Sequence, residues 1–178
     1  MATLETWAVP IVAVATVALW LLARPGGDRK WKLAASSGLA AAGLALLVNQ
    51  LIAKIWHRPR PFASHPSAHV WGSRSHDPSF PSDHASASFA IAFAVIAYDR
   101  LAGALFIAAA VVISVGRVLI GAHYPADVAA GLLVGLACGL IVARLARPIL
   151  MPLVRIVERI TDPILGAAWR ARRPAALA

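Results

Sequence analysis

Three short stretches of this chain hold side chains suited to phosphoryl chemistry. They are His57-Arg58-Pro59-Arg60-Pro61-Phe62, then Ser79-Phe80-Pro81-Ser82-Asp83-His84-Ala85, then Gly116-Arg117 followed by His123-Tyr124-Pro125-Ala126-Asp127. Phosphoryl transfer asks a protein mainly for positioning and charge stabilisation. A guanidinium matches phosphate oxygens through two parallel N–H bonds, so Arg60 and Arg117 suit a phosphate clamp. A neutral imidazole can attack phosphorus, and a carboxylate on its other ring nitrogen fixes the tautomer and stabilises the cation that forms. His123 and Asp127 supply that pair. Pro59 and Pro61 keep the first stretch extended, because the residue before a proline avoids the helical region. Pro81-Ser82-Asp83 reads as a helix start, with Ser82 or Asp83 as the cap, amides aimed at an anion, and His84 in the first turn. Pro125 favours a helix start after Tyr124, which leaves His123 in the loop and Asp127 in the first helical turn.

The elements that must carry these stretches are apolar. Hydrophobic residues make up 60% of the 178 and charged residues only 14%, against about a quarter charged in a soluble domain. Five apolar segments, at 7–23, 33–56, 85–98, 101–120 and 128–143, predict an all-α, polytopic membrane helix bundle of about five transmembrane helices. A span needs about 20 apolar residues; the third and fifth segments reach that only with their flanking motif residues, which places His84 and Asp127 at membrane boundaries. All three polar stretches then fall at one boundary. Polar groups at membrane depth are costly and default to functional candidates.

Basic residues orient the bundle. With the loop 24–32 inside, twelve of the 17 Lys and Arg lie inside, while Lys54, Arg58, Arg60, Arg74 and Arg117 lie outside. The positive-inside rule therefore puts the polar stretches on the outer face. The formal net charge of +9 points to anionic lipid or an anionic substrate rather than nucleic acid, since most basic residues sit at the ends of apolar runs. The apolar N-terminal stretch ends in Arg24 without a small-residue cleavage site and reads as a retained membrane helix. Residues 1–147 read as the transmembrane domain and 148–178 as a C-terminal amphipathic, basic tail on the cytoplasmic side. In that tail Arg155, Glu158, Arg159 and Asp162 recur at helical spacing among Ile, Leu and Val, which fits a helix in the interface or one packed on the bundle. Arg170, Arg172 and Arg173 add affinity for anionic lipid.

Other polar residues have plainer readings. The lone Cys138 lies in an apolar run and reads as packing. Gly131 and Gly135 read as a close helix contact inside the monomer, with a homodimer seam as the alternative. Asn49 and Gln50 read as hydrogen-bond donors between helices, and His57 as a solvated anchor beside the arginines. His65, His69 and His76 lie outside the three stretches and receive no role; Arg74 and Asp77 read as loop solvation.

The three stretches resemble the phosphatidic acid phosphatase type 2 superfamily, which also includes vanadium haloperoxidases. The family pattern is Lys-x6-Arg-Pro, Pro-Ser-Gly-His and Ser-Arg-x5-His-x3-Asp. Here the third part reads Arg117-x5-His123-x3-Asp127, with Gly116 in place of serine, and the second reads Pro81-Ser82-Asp83-His84, with Asp83 in place of glycine. The first keeps Arg60-Pro61, but Ala53 holds the lysine position, which leaves Lys54 and Arg58 as alternatives for that cation. Ser-Phe-Pro-Ser-Asp-His with Arg-Pro-Phe looks like the bacterial undecaprenyl-diphosphate phosphatases of the bacitracin-resistance type, over about residues 49–160.

The resemblance implies a plasma-membrane hydrolase that needs no metal or other cofactor and acts on a polyprenyl diphosphate or a phospholipid phosphate at the extracytoplasmic face. His123 would become phosphohistidine, Asp127 would orient it, and His84 would protonate the leaving oxygen. Arg60, Arg117 and Ser82 would hold the phosphate, with Asp83, Lys54 and Arg58 around it. Asp83 beside His84 should favour the protonated imidazole. The competing readings are a phospholipid monoesterase, a membrane haem protein with His84 and His123 as axial ligands, and a scaffold or transporter. Five helices without a repeated pair of broken ones are few for a transporter.

Overall fold

The structure, a computed structural model, describes residues 2–23, 29–65, 71, 74–145 and 147–171, with the side chains of 9–167 among them. Seven helices appear among the described residues: α1 (Ala2–Leu22), α2 (Lys30–Ile55), α3 (Pro61–Ser64), α4 (Asp83–Ile96), α5 (Arg100–Leu119), α6 (Pro125–Leu145) and α7 (Arg147–Ala171). The chain is all-α, as its apolar runs predict. Where the sequence predicts about five spans, each of the five apolar segments is helical: among the residues whose side chains are described, α2, α5 and α6 have both the length and the hydropathy to cross a membrane, α4 is a shorter apolar helix, and the 21-residue α1 is apolar over its described part, Val9–Leu22. Their outward faces are apolar: Leu47, Leu105, Val112, Leu133 and Ile141 are among the exposed side chains. Such a surface needs lipid as its solvent.

Helix α4 is the axis of the fold. It is only 14 residues long and nearly all of it is buried, from Ala85 to Val95. It packs against α1, α2, α5 and α6. A helix buried all round must be apolar all round and small enough to admit its neighbours, and the Ala-Ser alternation at 85–88 meets both needs. On α2, the buried positions Ala34, Gly38, Ala41, Ala45 and Asn49 form one stripe at helical spacing. On α6, the stripe is Gly131, Gly135 and Gly139. A Cβ at Gly135 would stand 2.6 Å from the Phe89 Cβ and 2.8 Å from the Ala90 N and Ser86 O, and one at Gly131 would stand 2.8 Å from the Ala85 Cβ. The glycine pair thus lets α6 lie directly on α4, the intramonomer reading of the sequence.

Helix α7 uses two stripes. Leu150, Val154 and Glu158 are buried on one, while Ile149, Leu153, Ile156, Ile160 and Ile164 are exposed on the other. The buried stripe is held by charge. Lys32, only 1% exposed, reaches Glu158 at 3.2 Å and Asp162 at 2.6 Å, Arg29 reaches Glu158 at 2.7 Å, and Lys32 Nζ lies 5.7 Å from the Trp20 ring. Helix α7 is therefore tied to α1 and α2, and its outward isoleucines remain free to meet lipid.

Because the neighbours of Gly135 are main-chain atoms and the Phe89 Cβ, none of which can swing aside, Gly135→Ala should lower stability by about 2–3 kcal/mol. At Gly43 a Cβ would meet nothing within 4 Å; Gly43→Ala should be neutral or stabilising by up to about 1 kcal/mol. Thermal unfolding of both variants in detergent micelles checks the contrast.

Candidate active site

The site forms at one end of the bundle, where the C-terminal end of α2, the start of α4, the end of α5 and the start of α6 come together. Helix α5 ends at Leu119, and the chain reverses through Gly121, whose φ of 74° suits glycine. The Ala122 and His123 amides both donate to the Arg117 carbonyl, at 3.1 and 3.3 Å. That turn fixes the spacing between Arg117 and His123. Helix α6 then begins at Pro125, so His123 lies in the turn and Asp127 in the first helical turn, as the sequence predicts.

His123 is buried, 3% exposed. Its Nδ1 lies 2.8 Å from the Ser79 main-chain carbonyl. A carbonyl oxygen only accepts, so Nδ1 carries the proton and donates it. The lone pair is then on Nε2, which faces Arg60 Nη1 at 3.4 Å. The ring is held as the neutral tautomer with one basic nitrogen turned to a guanidinium.

Asp127 supports this arrangement, though its direct partners differ from the pair drawn from the sequence. Its Oδ2 is 3.8 Å from His123 Nδ1, beyond a hydrogen bond. Oδ2 instead accepts from Ser79 Oγ at 2.6 Å and the Tyr124 amide at 2.9 Å, and Oδ1 accepts from Arg58 Nη1 at 2.8 Å. The Asp127 carbonyl accepts from the Ser82 amide at 3.1 Å, and the Arg58 carbonyl from the Ser79 amide at 2.8 Å. Asp127 therefore acts on the ring from one bond away, by fixing Ser79 and adding negative charge near Nδ1.

The other expected site residues divide into two groups. Arg60 lies with His123: its Nε donates to the Asp77 carbonyl at 3.0 Å and its Nη1 to the Ala122 carbonyl at 3.4 Å. Residues 56–60 form neither helix nor strand before α3, and Arg60, the residue before Pro61, is extended. Arg117 is 5% exposed beneath the turn. Ser82 is the N-cap residue of α4, but its side chain makes no cap bond; its buried Oγ is without a protein partner among the described residues. His84, half-buried, follows in the first turn of α4. The second group lies apart. Arg58 holds Asp127 and covers the Tyr124 ring, its guanidinium carbon 4.1 Å from the ring centre. Asp83 is exposed and accepts from Asn49 Nδ2 at 2.7 Å. Lys54 is exposed on the last turn of α2. Asn49 also reaches Ser86 Oγ at 3.0 Å, an interhelical bond that lies directly beneath the α4 motif. His57 and His76 line an outer pocket of about 300 Å³ beside Arg60. His65 is exposed at the end of α3, and His69 lies outside the described residues.

Ser79 is the residue that sequence reasoning missed. Its place at the head of the second stretch was visible, but its part is played through a main-chain carbonyl, which leaves no mark in residue type.

An all-helical bundle with membrane-length helices thus carries an oriented histidine among arginines at one end. The chain belongs to the PAP2 superfamily, which matches residues 33–149. It is 30% identical to undecaprenyl-diphosphatase BcrC of Bacillus subtilis, over 93% of this chain and 83% of that protein. It is 32% identical to the putative undecaprenyl-diphosphatase YbjG of Escherichia coli, over 72% and 63%. It is 33% identical to decaprenylphosphoryl-5-phosphoribose phosphatase of Mycobacterium tuberculosis, over 70% and 66%. Among solved structures, a transmembrane PAP2-type phosphatidylglycerolphosphate phosphatase from Bacillus subtilis shares the fold, with a TM-score of 0.53 and 19% identity over 79% of this chain and 74% of that one.

Ser79→Ala removes a hydroxyl bonded to a buried carboxylate but keeps the carbonyl that holds His123. Phosphate release should fall about 10- to 100-fold, the kinetic equivalent of one charge-assisted bond. Steady-state kinetics of the folded variant check this, and an unchanged kcat would remove the Ser79 hydroxyl from the account.

Proposed function

We propose that the protein hydrolyses a polyprenyl diphosphate, in the manner of undecaprenyl diphosphate, to the monophosphate and inorganic phosphate, through a phosphohistidine on His123. The observation that carries this reading is the His123 ring, with Nδ1–H on the Ser79 carbonyl and Nε2 beside Arg60. A neutral imidazole with its lone pair turned toward a guanidinium is ready to meet a phosphate that the guanidinium binds.

In this mechanism Arg60, Arg117, the Ser82 hydroxyl and the first amides of α4 hold the terminal phosphate. His123 Nε2 attacks phosphorus as the bond to the bridging oxygen breaks, and His84 gives that oxygen its proton. The imidazolium of the intermediate is stabilised through Ser79 by Asp127. Water, deprotonated by His84, then attacks phosphorus and frees His123 and inorganic phosphate. Arg58 acts through Asp127, and Lys54 and Asp83 belong to the rim. The reaction uses no step that calls for a metal. The basic residue distribution favours the extracytoplasmic face of the plasma membrane for the site. The substrate class is favoured by the names of the relatives that match most of this chain.

The test is phosphate release from a lipid panel in detergent with EDTA present. Polyprenyl diphosphate should turn over at least tenfold faster than phosphatidate or phosphatidylglycerophosphate, and His123→Ala should lose activity on every lipid by at least about 10⁴-fold while keeping its fold. Faster turnover of the phospholipid monoesters would move the substrate to that class; full activity in His123→Ala would end the mechanism.

A further inference from the structure

The end of the bundle opposite the candidate active site carries an open cavity of about 640 Å³. Four elements build it: the start of α2, the turn after α4, the end of α6 and the first turns of α7. Arg29, Lys30, Arg144 and Arg147 line it, and among the described residues no acidic side chain does. Two acids of the elements around it are already committed. Glu158 is paired with Arg29 and Lys32, and Asp99 accepts from the Trp31 indole at 3.0 Å and the Ala102 amide at 2.9 Å. Arg144 and Arg147 are exposed, and neither makes an ion pair among the described residues.

The remaining lining is apolar or satisfied. Leu33 and Met151 add apolar lining, and the Tyr98 hydroxyl donates to the Ala143 carbonyl at 3.1 Å while accepting from Ser37 Oγ at 3.1 Å. The cavity therefore offers guanidinium forks at its rim and hydrocarbon at its wall. Its height in the bundle is that of the helix ends, since α2 begins at Lys30 and α6 ends at Leu145. A ligand that suits such a site is an amphiphile with an anionic phosphate head.

We propose that this cavity binds the phosphate of an anionic phospholipid headgroup from the leaflet opposite the candidate active site. A bound headgroup bridges α7 to the ends of α2 and α6, adding to the Lys32–Glu158–Asp162 cluster that already ties α7 down. A ligand that binds only the folded chain raises its unfolding temperature. The inference does not rest on the proposed reaction.

The experiment follows unfolding by tryptophan fluorescence in detergent micelles. Phosphatidylglycerol should raise the midpoint on the order of 5 °C at saturation, and phosphatidylcholine should not. Arg144→Gln with Arg147→Gln should lose most of that shift, with the lipid-free midpoint and phosphate release unchanged. Arg155→Gln with Arg159→Gln removes the same charge from exposed positions of α7 outside the cavity, and should keep the shift. Should the first pair fail to fold, Arg144→Lys with Arg147→Lys takes its place and should show a smaller shift than the wild type. Free glycerol 3-phosphate matching the lipid would support the anion pocket and move its source to solution. Equal loss in the two glutamine pairs, or an equal shift from phosphatidylcholine, would overturn the proposal by reducing the effect to diffuse surface charge or to apolar contact.

Discussion

A carboxylate with no exposed surface organises this end of the molecule. Asp127 is 0% exposed, and an ionised carboxylate out of water is destabilising by several kcal/mol unless it is paired and hydrogen-bonded. Its oxygens are satisfied by the Arg58 guanidinium, the Ser79 hydroxyl and the Tyr124 amide. Those donors come from three segments far apart in the chain. Meeting the needs of one buried charge draws the extended linker after α2, the loop before α4 and the turn before α6 to a single point. The His123 ring lies at that point, and Ser79 serves both: its hydroxyl goes to the carboxylate and its carbonyl to the imidazole. The tautomer of His123 thus follows from the way Asp127 is neutralised.

That convergence needs helices that approach closely. The glycines of α6 set its distance from α4, and with it the reach from the Asp127 carbonyl to the Ser82 amide. On the other side of α4, Asn49 of α2 closes the stripe of small residues with bonds to Asp83 and Ser86. The two stripes hold α4 like a rod between plates, so the start of α4 is placed by side chains many residues below it. In lipid, where burial of apolar surface gives little drive for helix association, small-residue contacts and interhelical hydrogen bonds carry that task.

Much of this was readable before any coordinates. Pro125 marks the start of α6, because its fixed φ acts locally, and Ser82 stands at the N-cap of α4, though its side chain makes no cap bond; the short α3, which begins at Pro61, lay in a stretch read only as extended. The roles of Asn49 and Gly131 followed from the cost of polar groups and the use of small ones inside a membrane. Two features were hidden. The Ser79 carbonyl has no side-chain signature. Lys32 read as one more cation at the boundary, yet it is 1% exposed and its partners Glu158 and Asp162 are 126 and 130 residues away. The acids stood four apart on one face of α7, a pattern that names a face but not what it meets. The five apolar segments all became helices, α1, α2, α4, α5 and α6, but the length of α4 was not legible. Apolar runs show what avoids water, whereas α4, shielded on all sides by protein, can be shorter than a span.

Hydrogen bonding at Nδ1 leaves His123 one nitrogen for attack, Nε2. The most direct measurement is to quench the enzyme during turnover of a labelled lipid diphosphate at alkaline pH, map the phosphorylated peptide, and identify the phosphohistidine isomer by NMR. An acid-labile phosphate on Nε2 of His123 is expected. A phosphate on Nδ1, or on His84, would contradict it.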